Sequence, residues 1–251
     1  MSQSRESQHP AAWLDADLGD VAANLALDEA ILEAAHDGAL EAPVVRTWMA
    51  AETTVVLGSS SRVEQEVDVD ACAAAGARLV RRTSGGLTVL LGPGCLMWSV
   101  VAPQPAASPA IDAIHRAMLG PLAAALRAAG RPVERRGTSD LVVVGDGPDR
   151  KVSGNALRVR RGAVLYHGTL LDAFDLESVT RLLRHPPREP GYRAGRPHGE
   201  FLANLRLGSA TLAAIVRRAF GATVTAADWP RARAAQLAAE RFTSAEWTRR
   251  M

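Results

Sequence analysis

Between residues 141 and 171 three β-forming segments follow one another with only turns between them. Residues 141–144 lead through "GDGPD" to 151–159, and these lead through "RRG" to 163–171. The connections have hairpin length and carry glycine, proline and aspartate, the residues that turns use. This spacing predicts an antiparallel meander, and it constrains the chain more than any other feature. Further strand-type segments lie at 44–57 (one or two strands), at 78–82 and in a pair within 87–101 broken by "GPG". Helices are expected at 20–35, capped by Asp20 with Gly38 just past the end, and at 68–75, 108–129, 175–183, 209–219 and 226–241. The helix at 108–129 starts on a Ser-Pro cap and should kink at Gly120-Pro121. Residues 185–200, "HPPREPGYRAGRPHGE", read as a loop rich in proline, glycine and arginine. Strands that cluster instead of alternating one by one with helices predict an α+β fold with a mixed, mostly antiparallel sheet flanked by helices. They exclude a doubly wound nucleotide fold.

A chain of 251 residues with a 47% hydrophobic fraction can build one large domain, expected at 13–251 after a disordered start at 1–12. The net charge of +2 suits an acidic partner without calling for nucleic acid. The first twelve residues hold no apolar run typical of a signal peptide, and no run approaches the roughly 18 residues of a membrane span. Cys72 and Cys95 fit no metal-ligand spacing and suggest a reducing compartment, so a cytoplasmic location is expected.

Three stretches carry chemistry. In "RRTSGGLTV", Arg81 and Arg82 end a strand before Ser84, Gly85 and Gly86. Glycines let the backbone approach a ligand, and one arginine is placed to face a phosphate or carboxylate; a plain turn with a solvated arginine fits as well. In "DRKVSGNA", Lys151 is the one lysine among 29 basic residues, all the others being arginine. A compact ammonium reaches one oxygen of a crowded ligand where a planar guanidinium does not; the alternative is a chance surface charge. In "YHGTLL", His167 and Gly168 lie on the next strand, where a half-buried structural histidine is the plainer reading.

Taken together, "RRTSGG", "SDLVVVGDGPDRKVSGNA", "GAVLYHGTLL" and "ANL" resemble the lipoate–protein ligase A family within the biotin and lipoate ligase superfamily. "NLALDEAIL", "VVRTWMAAETTVVLG" and "FTSAEW" add weaker likenesses. The resemblance implies a catalytic core related to class II aminoacyl-tRNA synthetases and biotin ligases. It implies ATP-dependent attachment of lipoate or octanoate, with Mg2+ accompanying the ATP, to a lysine of a lipoyl carrier domain in a dehydrogenase complex or glycine cleavage protein. No nucleic acid or membrane is implied. Carried over by position, Lys151 is the catalytic lysine, bridging the carboxyl oxygen and the α-phosphate. Arg82, Ser84, Gly85, Gly86, Asp140, Ser153, Gly154, Ala156, His167 and Gly168 surround the acyl chain and adenylate. Leu87 stands where the family has a third glycine, and Leu91 where it has histidine. The family's C-terminal accessory domain is expected to be missing or supplied by another chain. Sister octanoyltransferases carry the acyl group on a cysteine, and Cys95 falls at neither of their two positions. A transferase using a carrier-bound donor and a non-catalytic binding module are the alternatives.

Overall fold

The structure is a computed structural model and describes residues 10–104 and 110–250. Strand β1 (Ala12–Trp13) and helix α1 (Val21–His36) come first, then β2 (Val44–Met49), β3 (Thr54–Leu57) and the short helices α2 (Val63–Glu66) and α3 (Val69–Ala74). Next are β4 (Arg78–Arg81), β5 (Val89–Leu91), β6 (Cys95–Pro103) and α4 (Ile111–Ala128). The chain continues through β7 (Val133–Arg136), β8 (Asp140–Val143), β9 (Arg150–Arg160), β10 (Ala163–Leu171) and α5 (Leu176–Leu182). A 3-10 turn (Gly191–Arg193), α6 (His198–Phe201), α7 (Ser209–Ala219) and β11 (Val224–Thr225) follow. The last elements are α8 (Arg231–Leu237), a π-helical turn (Ala238–Phe242) and α9 (Ala245–Arg249).

Eight strands form one sheet in the order β11-β1-β2-β6-β10-β9-β8-β7, and a smaller sheet has the order β4-β3-β5. Pairing in the large sheet is antiparallel from β2 to β7 and parallel among β11, β1 and β2. The fold is therefore α+β with a mixed, mostly antiparallel sheet, and the meander is present as β8-β9-β10. Alternate residues of the central strands fill two different cores. Met97 and Leu165 pack with α1 and the small sheet, whereas Trp98 and Tyr166 pack with α4 and α7. With both faces covered, all nine residues of β10 are buried, which is why the strand shows no alternation of apolar and polar residues.

Several expectations change. The segments on either side of "GPG" do not pair with each other: β5 joins the small sheet and β6 the centre of the large one. The helix expected at 108–129 is present as α4, continuous through Gly120-Pro121, with Leu119, Leu122 and Leu126 fully buried around that point. Its expected Ser108-Pro109 cap lies outside the described residues. Strand β1 begins within the stretch expected to be disordered: the Ala12 N–H donates to the Pro43 carbonyl and the Leu14 N–H to the Val45 carbonyl. Residues 1–9 lie outside the described residues. Helix α8 starts only after Trp229-Pro230, since the residue before a proline is pushed out of the helical region. The loop at 185–200 holds a 3-10 turn and part of α6. No helix among the described residues is long and apolar enough to cross a membrane.

Candidate active site

A cavity of about 470 Å³ lies between the β8-β9-β10 meander and the loop after β4. Eight of the eleven residues singled out in the sequence line it: Arg82, Gly86, Asp140, Lys151, Gly154, Ala156, His167 and Gly168. Ser84 and Ser153 are buried and do not line it, and neither does the half-buried Gly85.

Strict alternation along β9 would place Lys151 on the face of Leu157 and Val159, which pack against the core beneath α4. An irregularity in the β8-β9 ladder prevents this. Asp140 lies opposite Gly154 and Leu141 opposite Ser153, but Val142 lies opposite Lys151, so Val152 is left as an extra residue and turns into the core. A bulge of this kind re-aims the side chain before it, and Lys151 joins Gly154 and Ala156 on the cavity side. Its ammonium Nζ lies 2.8 Å from Asp140 Oδ1. Gly154 leaves the room: a Cβ there would stand 2.9 Å from both Cε and Nζ of Lys151. Asp140 is held on its other oxygen by the Tyr192 hydroxyl, which donates to Oδ2 at 2.8 Å. Asn155 braces the same corner, donating from Nδ2 to the Ser139 carbonyl at 2.7 Å. Gly168 admits that side chain, since a Cβ would lie 1.8 Å from Asn155 Oδ1.

The arginine pair behaves differently. Arg81 donates to the carbonyls of Thr248, Gly58 and Ser61. Arg82 donates from Nε to Ser84 Oγ, from Nη1 to the Val56 carbonyl and from Nη2 to the carbonyls of Gly85 and Leu87. Both guanidinia spend most of their N–H groups on protein acceptors, and Arg81 Nη2 is buried without a hydrogen-bond partner. Burial pulls Arg82 down to about 10, so it stays charged at neutral pH. His167 is buried, and burial lowers its pKa to about 4, with Asp28 opposing the shift and Arg82 adding to it. The ring is therefore neutral at pH 7. Ser84 Oγ lies 2.6 Å from His167 Nε2 while accepting from Arg82. One proton is shared in this contact, and the other ring nitrogen, Nδ1, is buried without a hydrogen-bond partner. His167 thus secures the loop that roofs the cavity.

Both thiols are sealed away. Cys95 is fully buried in β6 and burial pushes it up to about 12; Cys72 is buried against the Leu182 carbonyl and raised by the same cause. A second, mostly apolar chamber of about 150 Å³ adjoins the first, sharing Leu87, Thr88, Val89, Lys151, Gly154, Thr169, Arg188 and Pro190 with it. Leu87 stands at the junction, whereas Leu91 points into the core and lines neither chamber. Sequence reasoning missed Asn155, Thr169 and Tyr192. Asn155 lies inside the motif "KVSGNA" and Thr169 directly follows "HG", so both were within reach of a reading that followed the strands. Tyr192 sits in the loop at 185–200 with no local signal, and only the fold brings it to Asp140.

The family model for the lipoyl protein ligase A/B catalytic domain matches residues 20–212. Octanoyltransferase LipM of Moorella thermoacetica is 31% identical over 190 residues, covering 69% of this chain and 69% of the relative. Among solved structures, an archaeal bi-partite lipoate protein ligase from Thermoplasma acidophilum, described with its E2 lipoyl domain, superposes with a TM-score of 0.82. It has 23% identity, over 96% of this chain and 97% of that one. A lipoate-protein ligase A bound with ATP gives a TM-score of 0.79 at 25% identity, over 96% and 99%.

Proposed function

The chain belongs to the lipoyl protein ligase A/B catalytic-domain family, and from that premise we propose that it activates lipoate or octanoate with ATP and passes the acyl group from the acyl-adenylate to a carrier-domain lysine. The enzyme class, lipoate or octanoate attachment, follows from the family. The choice of ATP-dependent ligase over transferase is our inference, and one observation carries it. A positively charged ammonium, Lys151, stands in the cavity beside Asp140, while both cysteines are buried in the core away from it. A thioester route needs a thiolate at the cavity, and burial disfavours that form at Cys95.

The chemistry assigned to these residues is electrostatic. Joining a carboxylate to AMP brings two negative groups together, and Lys151 offers N–H groups to the carboxyl oxygen and α-phosphate as charge develops. Asp140 orients Lys151 and keeps it in place. Gly86, Ala156 and Gly168 leave backbone close to the acyl chain, and Leu25, Val56 and Met97 give it an apolar wall. Mg2+ would enter with the nucleotide as part of the substrate. Holding the adenylate next to the incoming amine supplies the rest of the gain. A lipoyl carrier domain is the acceptor, and a second chain is free to contribute an accessory domain.

The name of the Moorella relative favours the other reading, transfer from a carrier-bound octanoyl group. One experiment separates the two: mass spectrometry of a purified lipoyl domain incubated with this protein and either lipoate plus ATP or octanoyl-carrier protein alone. Acylation that requires ATP supports the ligase. Acylation by the carrier-bound donor without ATP replaces it with the transferase, and no acylation in either arm leaves a binding module.

A further inference from the structure

Asp140 has two oxygens and each is claimed by a different part of the chain. Lys151 Nζ takes Oδ1 at 2.8 Å and the Tyr192 hydroxyl takes Oδ2 at 2.8 Å. A carboxylate held on both oxygens cannot turn about its own axis, so the position of the ammonium is set jointly by β8 and by a turn 52 residues away in sequence. We propose that Tyr192 is a positioning residue for the acyl-activation step: through Asp140 it holds the Lys151 ammonium at the point where the ligand oxygens meet. This deepens the ligase reading above and rests on it.

The turn that carries Tyr192 is built to be stiff. The ring packs on Phe201 with centroids 5.3 Å apart. Arg193 lies over the other part of that cluster, 4.7 Å from the Phe201 centroid. Arg196 donates from Nη2 both to the Tyr192 carbonyl and to the Asp149 carbonyl, each at 2.9 Å, which ties the turn to the strand that starts just before Lys151. Beyond α6, the Ala203 N–H donates to the carbonyl of Lys151 itself at 2.9 Å. The segment from 189 to 203 is thus fastened to the lysine strand on both sides. Burial, and next the Asp140 carboxylate, push the Tyr192 phenol well above its usual range, so it remains a donor. Asp140 then occupies one N–H of the ammonium and leaves two for ligand oxygens.

The composition makes this measurable, because Lys151 is the one lysine of the chain. Protein grown on lysine labelled at Cε and Nζ gives a single side-chain NMR signal, and that signal reports on Lys151 with no activity required. Tyr192→Phe removes one oxygen and keeps the ring on Phe201, so the fold, followed by thermal melting, should be retained. The expected result is a shifted lysine signal with greater side-chain mobility. Alongside it, kcat for ATP-dependent acylation should fall about tenfold, the loss of one such hydrogen bond, with KM for lipoate within about twofold. An unmoved lysine signal overturns the proposal. So does a rise in KM alone with the signal in place, which would make Tyr192 a wall of the cavity. If wild type acylates nothing, the ligase reading fails on that arm, while the lysine signal still decides whether Tyr192 positions Lys151.

Discussion

Lys151 and Arg82 carry the same charge, line the same cavity and come from the two motifs that mark it, yet the protein uses their N–H groups differently. Arg82 is buried and spends its guanidinium on four acceptors of its own neighbourhood, three of them backbone carbonyls. Lys151 is partly exposed, has Asp140 as its partner and keeps donors in reserve. A basic residue beside a cavity is therefore no guide to anion binding by itself; what decides is how many of its N–H groups the protein has already used. Arginine suits the fastening task because its fork serves several acceptors in one plane, and lysine suits the other because its ammonium fits over Gly154.

The sharpest way to break this contrast is to exchange the two side chains. Lys151→Arg should lower the rate of lipoate-dependent pyrophosphate release by roughly 10²–10³, the cost of losing one well-placed transition-state contact. Circular dichroism and melting temperature should be unchanged. A variant that keeps a third of the wild-type rate would make Lys151 a bystander. The reciprocal change, Arg82→Lys, should act on stability first. Leaving buried carbonyls without donors costs about 2–3 kcal/mol, which lowers the melting temperature by about 5–10 °C in a chain of this size. Unaltered melting would mean that the loop does not depend on Arg82.

His167 sharpens the comparison through pH. Its folded pKa of about 4 lies below the unfolded value of 6.5, so the unfolded chain takes up the proton first as the pH falls. The stabilisation is complete above pH 6.5 and is lost between 6.5 and 4. Between pH 7.5 and 5 this amounts to about 2 kcal/mol. Denaturant titrations across that range should therefore show a shallower pH dependence for His167→Gln than for wild type, and parallel curves would remove His167 from the account. The smallest effect is expected at Cys95. Cys95→Ala should cost about 1 kcal/mol of stability, the ordinary cost of trimming a small buried side chain, and leave acylation within about twofold of wild type. Abolished activity in a folded variant would put a thioester back into the mechanism.

Much of this was legible along the chain. Turn-separated β segments gave the meander, since hairpin connections leave no room for crossovers. Lys151 stood out because it is the sole lysine, and the glycines at 86, 154 and 168 marked where backbone approaches closely. Most of the points that the structure changed depend on residues far apart. The "GPG" turn looked like a hairpin, but β5 and β6 part into different sheets. The sequence around Arg81 and Arg82 carries no sign of their distant carbonyl acceptors at Val56, Gly58, Ser61 and Thr248.

By itself the sequence determined the α+β class, the meander, the family resemblance and eight of the residues that gather at the cavity, because local propensity, turn chemistry and motif spacing are written in consecutive residues. Only the tertiary structure decided what each of those residues does. The β8-β9 bulge turned Lys151 from the core to the cavity, four acceptors from β3 and the following loops consumed Arg82, and a turn 52 residues downstream brought Tyr192 to Asp140. Hydrogen-bond saturation and side-chain facing are properties of neighbours in space, and the order of residues along a chain does not list them.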